Sequence, residues 1–207
     1  MKQLSAKELS AFQSGNTTFV DLRDAVPFGA GHLTGSVHIK ARSPDFAERI
    51  DRFIAAGSAI IFLADTEEDA AWAKATVSLA RTDTVEGYVL AESAFANSPN
   101  VLRSLPNLLP TELEHARSVN DDVVVLDVRE HDEWRNGNIP GAIHVPMWEV
   151  LDRVDELPRE RPIAIVCAGG QRSSLIGSLL LNRGFTNLIN VTGGMKSWTT
   201  ASLPVEK

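Results

Sequence analysis

Residues 163–176 run from an apolar stretch, Ile163-Ala164-Ile165-Val166, through Cys167-Ala168-Gly169-Gly170-Gln171-Arg172 to Ser173-Ser174-Leu175-Ile176. The pattern is that of a buried strand, a tight loop and the first turn of a helix. Cys167 is the only cysteine of the chain, and it falls where the strand ends. A thiol in that place faces loop N–H groups and the positive end of the next helix, and both favour a negative charge on sulfur. The chemistry this suits is nucleophilic: a sulfur that carries charge without a neighbouring base. A lone cysteine at a strand end is also a common small core residue. The reactive reading rests on its company. Gly169 and Gly170 permit close backbone approach and positive φ, Arg172 supplies a fixed cation, and Ser173 is placed to cap the helix.

These residues need a frame, and the bulk properties describe one. The chain has 207 residues, 43% hydrophobic and 23% charged, with a net charge of −7, which is ordinary for one large or two small globular domains. The acidic balance, with no basic run interleaved with aromatics, argues against a nucleic-acid or anionic-membrane partner. No apolar stretch approaches spanning length, and Met1-Lys2-Gln3-Leu4-Ser5 lacks the apolar core of a signal peptide. One cysteine cannot form an internal disulfide, as expected of a cytoplasmic protein.

The elements come in two rounds. Ser5-Ala6-Lys7-Glu8 has a capping-box pattern opening a helix over 5–14. Thr17–Val20 reads as a strand leading to Asp21-Leu22-Arg23-Asp24, and a loop with Pro27, Gly29, Gly31 and Gly35 follows. A strand over Val37–Ile39, a helix over Pro44–Ala56 with Gly57 as its stop, a strand over Ala59–Leu63 and a helix over Glu67–Ala80 come next. Val85–Leu90 is a strand and Ala91–Ala96 a helical scrap. Asn97-Ser98-Pro99-Asn100, Pro106 and Pro110 then mark a linker.

Past it the pattern restarts. Thr111-Glu112-Leu113-Glu114 repeats the capping box and Val123–Leu126 the strand. Asp127-Val128-Arg129-Glu130 follows Asp21-Leu22-Arg23-Asp24 by 106 positions, and Gly137–Val145 follows Gly31–Ile39 by the same offset. Trp134 likewise matches Phe28. Glu149–Glu156 reads as a short helix, Pro162–Val166 as a strand, Ser173–Arg183 as a helix stopped by Gly184, Leu188–Val191 as a strand, and Gly193–Trp198 as the start of a last helix. Two motifs at one offset describe a domain duplication. Strands alternating with helices predict an α/β fold with parallel sheets. The expected division is 1–98 for the first domain, 99–110 for a linker and 111–207 for the second.

The duplication carries its own control. Where the second half has strand, cysteine and glycine loop, the first has Ile60-Ile61-Phe62-Leu63-Ala64-Asp65-Thr66-Glu67-Glu68, with no cysteine, glycine or arginine. Its acidic residues suit a helix N-terminus and repel an anion, so residues 1–98 are expected to fold and be chemically silent. Asp127 and Arg129 are read as structural support because Asp21 and Arg23 persist without a cysteine. They brace the strand end against the Gly137–Gly141 loop. His144, matched by His38, has the same status. Met147, Trp148 and Trp198 are read as core, and Gln171 has no role beyond its backbone.

Asp127–Glu130, Gly137–Val145, Cys167–Ser173 and Gly193–Trp198 resemble the successive motifs of rhodanese domains. Both halves look like members of that family, so the fold implied is two tandem rhodanese-like domains, each a small mostly parallel sheet flanked by helices. A cysteine-less domain followed by a Cys-Ala-Gly-Gly-x-Arg-Ser domain is most similar to the tandem rhodanese portion of fusions with a metallo-β-lactamase-fold persulfide dioxygenase. No metal or other cofactor is expected, because the histidines at 32, 38, 115, 131 and 144 lack ligand spacing.

The resemblance implies sulfurtransferase activity by double displacement. Cys167 takes a sulfane sulfur from thiosulfate or a low-molecular-weight persulfide and passes it to cyanide, sulfite, a thiol or a protein acceptor. Ala168 to Ser173 form the substrate-binding loop, and Arg172 attracts the anionic donor. The second half is itself net acidic, with 11 Lys and Arg against 14 Asp and Glu over 101–207, which favours persulfide donors over thiosulfate. One rival is a sulfur carrier or redox sensor that does not turn over. A cysteine phosphatase or arsenate reductase fits less well, since those families place five residues between cysteine and arginine and four stand here.

Overall fold

The computed structural model describes residues 1–5, 8–9, 12, 16–80, 84–96, 102–119 and 122–207. It separates into two compact units, Met1–Ser104 and Leu105–Lys207. Among the described residues no helix is long and apolar enough to cross a membrane.

The first unit begins with the reciprocal bonds of a capping box. The Ser5 N–H donates to Glu8 Oε2 (2.9 Å), and the Glu8 N–H donates back to Ser5 Oγ (3.3 Å). Much of the helix expected over 5–14, including Ala6 and Lys7, lies outside the described residues. β1 (Thr17–Asp21) leads into α1 (Ala25–Ala30), then β2 (His32–Leu33), β3 (Val37–His38), α2 (Phe46–Phe53), β4 (Ala59–Ala64), α3 (Glu67–Ala80), β5 (Val85–Leu90) and α4 (Ala91–Ala96). The sheet has the order β3-β1-β4-β5 and every pair in it is parallel. Its inner strand β4 is buried on both faces over Ile60–Ala64, as strands of parallel sheets flanked by helices are. The stretch expected as a loop over 25–30 is helix α1. Pro27 is its third residue, where the missing N–H has no intrahelical partner to lose. Helix α2 is shorter than Pro44–Ala56, because Asp45 and Ile54 already stand outside helical geometry.

The stretch expected as a linker is built into the fold. β6 (Leu102–Arg103) pairs antiparallel with β2, and β7 (Asn107–Leu108) joins the second sheet parallel to its neighbour. Leu105 between them is fully buried. Asn97–Asn100 lie outside the described residues. In the second unit α5 (Pro110–Val119), β8 (Val124–Asp127), α6 (His131–Arg135), β9 (Ile143–His144), a single 3-10 turn (Val154–Glu156), β10 (Ile163–Val166), α7 (Gln171–Asn182), β11 (Leu188–Val191) and α8 (Gly194–Thr200) follow. The sheet order is β7-β11-β10-β8-β9, again all parallel.

Three local expectations shift. The cap of α5 uses Leu109, whose N–H donates to Glu112 Oε2 (2.7 Å), so Thr111 lies inside the helix and Pro110 takes the first helical position that suits it. Residues 149–156 form turns ending in the 3-10 segment rather than a helix. Helix α7 starts at Gln171, two residues before Ser173, so Ser173 is inside the first turn and caps nothing; Gly170 holds the cap position at φ +99°.

The pairing registers match the halves residue by residue. Asp21 pairs with Leu63 and Asp127 with Val166, so Ala64 stands where Cys167 stands. Helices α3 and α7 follow, making Glu68 the counterpart of Arg172 and Asp69 that of Ser173.

Candidate active site

Cys167 sits at the carboxyl end of β10, the middle strand of the second sheet, where the chain turns into α7. It is 1% exposed, yet its sulfur faces polar groups. The Gly170 N–H donates to Sγ at 3.1 Å, and the Ser173 hydroxyl lies 3.4 Å away. The loop can close this tightly because of Gly170. A Cβ there would lie 3.3 Å from Gly193 N and require positive φ. Gly194 is needed for a harder reason: a Cβ on it would come within 2.1 Å of the Cys167 carbonyl oxygen. Helix α8 thereby reaches the loop, and the Met195 and Lys196 N–H groups donate to Cys167 O (2.8 Å) and Ala168 O (3.1 Å). Both loop carbonyls are thus turned toward α8.

Of the other loop residues, Gly169 is exposed, Ala168 and Gln171 are half-buried, and Ser173 is fully buried. A cleft of about 320 Å³ opens beside the loop, lined by Ala168, Arg129, Glu133, Met195 and Lys196 among others.

Arg172 is not free to meet an anion. Its guanidinium makes a two-pronged pair with Glu133, Nη1 to Oε2 at 2.6 Å and Nη2 to Oε1 at 2.7 Å. Glu133 is fixed as the third residue of α6, where Oε2 also accepts the Glu130 N–H (3.1 Å) in a capping box. The Arg172 bond holds the Glu133 carboxyl below its ordinary range, and Glu133 in turn holds the Arg172 guanidinium above its own. Glu133 was not singled out by sequence reasoning. The Glu130-x-x-Glu133 spacing marks a helix start, but its partner lies 39 positions away.

Asp127 and Arg129 meet at the end of β8. Arg129 Nη2 donates to Asp127 Oδ2 (2.6 Å) and Gly137 O (2.9 Å), and Nη1 donates to Glu133 O (3.1 Å). In the first unit Arg23 Nη2 donates to Asp21 Oδ2 and to Gly31 O, each at 2.7 Å. The histidines repeat too: His144 Nε2 donates to Arg129 O (2.8 Å) and His38 Nε2 to Arg23 O (2.9 Å). Trp134 stacks on His144 with ring centroids 4.5 Å apart, and Phe28 lies over His38 at 4.6 Å. Of the expected core residues, Met147 and Trp198 are fully buried and Trp148 is half-buried.

Two parallel sheets of one register, repeated motifs and a single cysteine loop define a duplicated α/β domain, and comparison with known proteins gives the class. The rhodanese-like domain model matches residues 5–94 and 109–201. The chain belongs to the rhodanese-like family, with two such domains in tandem. A Bacillus subtilis protein named as a sulfur carrier, YrkF, is 32% identical over 132 residues, covering 62% of this chain and 71% of the relative. A sulfurtransferase of Allochromatium vinosum is 33% identical over 85 residues, 41% of this chain and 79% of the relative. Among solved structures, a rhodanese-related protein of Thermoplasma volcanium is 30% identical at a TM-score of 0.45, covering 49% of this chain and 97% of that one.

Proposed function

We propose that the chain is a sulfurtransferase in which Cys167 carries the sulfur and residues 1–98 take no chemical part. The observation that bears most on this is the Gly170 N–H aimed at Cys167 Sγ at the start of α7. A donor N–H and a helix N-terminus act on one atom and favour negative charge there. In the first half-reaction the Cys167 thiolate attacks the outer sulfur of the donor. A new S–S bond forms, the donor's own bond to that sulfur breaks, and the electron pair leaves with sulfite or with a thiolate. In the second, the acceptor attacks the outer sulfur and Cys167 returns as thiolate. The covalent intermediate divides one difficult transfer into two.

The loop from Ala168 to Ser173 holds the terminal sulfur as a helix N-terminus holds an anion. Asp127 and Arg129 brace the loop at 137 and carry no chemistry. A low-molecular-weight persulfide fits the site better than thiosulfate. Cys167 is nearly covered, which favours a donor presenting one sulfur on a narrow stem, and the Arg172 charge is already answered by Glu133. The resemblance to the tandem portion of persulfide dioxygenase fusions points the same way.

The relative named as a sulfur carrier supports a second reading, in which the Cys167 persulfide is passed once to a protein. Incubation with glutathione persulfide, followed by intact mass and by turnover with sulfite, tests both. Addition of one sulfur at Cys167 with many equivalents transferred supports the enzyme, and one equivalent without turnover supports the carrier. Turnover that survives Cys167→Ser removes the cysteine from the mechanism.

A further inference from the structure

Cys167 has a neighbour that works against its ionisation. The Ser173 hydroxyl stands 3.4 Å from Sγ and donates its proton to Asn190 Oδ1 at 2.6 Å. A serine hydroxyl has one hydrogen and two lone pairs. With the hydrogen held by Asn190, what faces the sulfur is a lone pair, which accepts from a thiol S–H and repels a thiolate. The orientation of Asn190 is fixed from behind. Its Nδ2 donates to Asn107 Oδ1 (2.9 Å), which also accepts from Thr192 Oγ1 (2.9 Å), while Asn107 Nδ2 reaches Leu105 O (3.4 Å). A polar chain therefore runs from the edge strand β7 across β11 to the cysteine, and Ser173 and Asn190 in it are fully buried.

The first unit shows that the fold does not require this chain. By register Tyr88 replaces Asn190, paired with Phe62 as Asn190 is with Ile165. Gln3 bridges to Tyr88 as Asn107 does to Asn190. Asp69 replaces Ser173 and turns to Arg42 and Thr66. The chain occurs where the cysteine occurs.

We infer that Asn190 is a positioning residue that holds the Ser173 hydroxyl as a proton acceptor toward Cys167, so that its lone pair opposes the thiolate until the hydroxyl turns. When the thiol ionises, its proton goes to solvent. The hydroxyl rotates, its bond to Asn190 breaks, and an O–H···S⁻ bond forms; no heavy-atom bond changes and no electron moves. The inference rests on Cys167 being the reacting sulfur but needs no donor. The charged groups around the site are Arg172, paired with Glu133, on α7, Lys196 on α8, and the Asp127–Arg129 pair at the end of β8. All of them stay in every variant below.

Because Cys167 is the sole cysteine, the pH dependence of iodoacetamide alkylation reads this sulfur alone. Asn190→Ala frees the hydroxyl to donate to sulfur, so the midpoint of the profile moves about one unit to lower pH, the scale of one hydrogen bond gained by a charged group. In a Ser173→Ala background the same substitution moves nothing, since its effect passes through the hydroxyl. An unmoved midpoint, a move to higher pH, or an equal move in the Ser173→Ala background overturns the proposal. Asn107→Ala serves if Asn190→Ala does not fold. It lets the Asn190 amide turn its NH₂ toward Ser173, and a midpoint that stays put there overturns the proposal equally. Loss of sulfur transfer with the alkylation shift intact would count against the proposed reaction and leave the role of Asn190 standing.

Discussion

The two units place the same strand end, the same buried Asp–Arg pair and the same aromatic–histidine contact beside turns of different sequence. The difference is concentrated in the turn after the middle strand. In the first unit, Ala64, Asp65 and Thr66 lead into α3, and the Asp69 N–H donates to Thr66 Oγ1 (3.2 Å), so the chain caps its own helix. In the second, the turn has one residue more, Gly170 stands at the cap without a side-chain bond, and its N–H goes to sulfur. The charge is reversed as well. Glu68 replaces Arg172 and pairs with Arg42 at 2.7 Å. The cleft of about 380 Å³ at this end of the first unit is lined by Asp24, Lys40, Arg42, Asp65 and Asp69, and its cations pair with its own acids, Lys40 with Asp24 and Arg42 with Asp69. What the units share is the strand framework with its buried pair, and what separates them is confined to the few residues at one helix start.

The largest test of that contrast is Cys167→Ser. It is expected to lower turnover by at least about a thousandfold, because a hydroxyl in this cradle is a far weaker nucleophile for sulfur. It should also abolish the one-sulfur mass increase. Next comes the reverse experiment, Ala64→Cys in the Cys167→Ser background. If the turn and its charges decide, the new thiol should alkylate at neutral pH roughly tenfold more slowly than Cys167 and form no persulfide, since Asp65, Glu67, Glu68 and Asp69 disfavour a thiolate beside them. A thiol at 64 as reactive as Cys167 would show that strand-end position alone suffices.

What the sequence made legible follows from how local each signal is. The strand–Cys–Gly-Gly–helix unit, the duplication and the parallel α/β class all rest on contiguous patterns, and the structure has two sheets of matching register. Patterns that depend on a partner far along the chain were not readable. Arg172 looked like a free cation because Glu133 stands in another helix start, and Asn190 looked like an interior strand residue because Ser173 and Asn107 are distant from it. Local reading also erred where two signals competed. Pro27 and Gly29 suggested a loop, but proline in a first turn costs a helix nothing. Thr111 and Glu114 imitated a capping box two residues out of register with the helix start that Leu109 and Glu112 set.

A smaller effect is expected at Glu133. Glu133→Gln keeps an acceptor for the Glu130 N–H, so the α6 capping box survives, but it removes the charge that answers Arg172. The freed guanidinium should raise kcat/KM for thiosulfate by about five- to tenfold, the scale of one partly exposed ion pair near 1 kcal/mol. That for glutathione persulfide should move less than about twofold. Equal gains for both donors would mean Arg172 acts on the sulfur rather than on the donor's charge. A loss for both would place Glu133 in holding the loop.

The mildest contrast concerns the paired histidines and is read as stability. His38 is fully buried beneath Phe28, whereas His144 is half-buried under Trp134. Burial pushes the His38 imidazole down to about 4, and burial also lowers His32, which stacks on Phe28 at 3.9 Å. A histidine kept neutral by the fold ionises more readily in the unfolded chain, near the ordinary 6.5. Below that pH the unfolded state takes up a proton that the native state refuses. The contribution is therefore whole above pH 6.5 and declines as pH falls toward 4, by up to about 3 kcal/mol for His38. Hydrogen exchange of the β1 and β4 amides, corrected for intrinsic rates, should accordingly show the first unit opening more readily at pH 5 than at pH 7. His38→Gln retains a donor for Arg23 O and has no ring to ionise, so it should flatten most of that dependence. A dependence as steep in His38→Gln as in the parent would assign the acid sensitivity to His32 or to the unit's carboxylates, and the buried imidazole would then be a packing element without a titration of consequence.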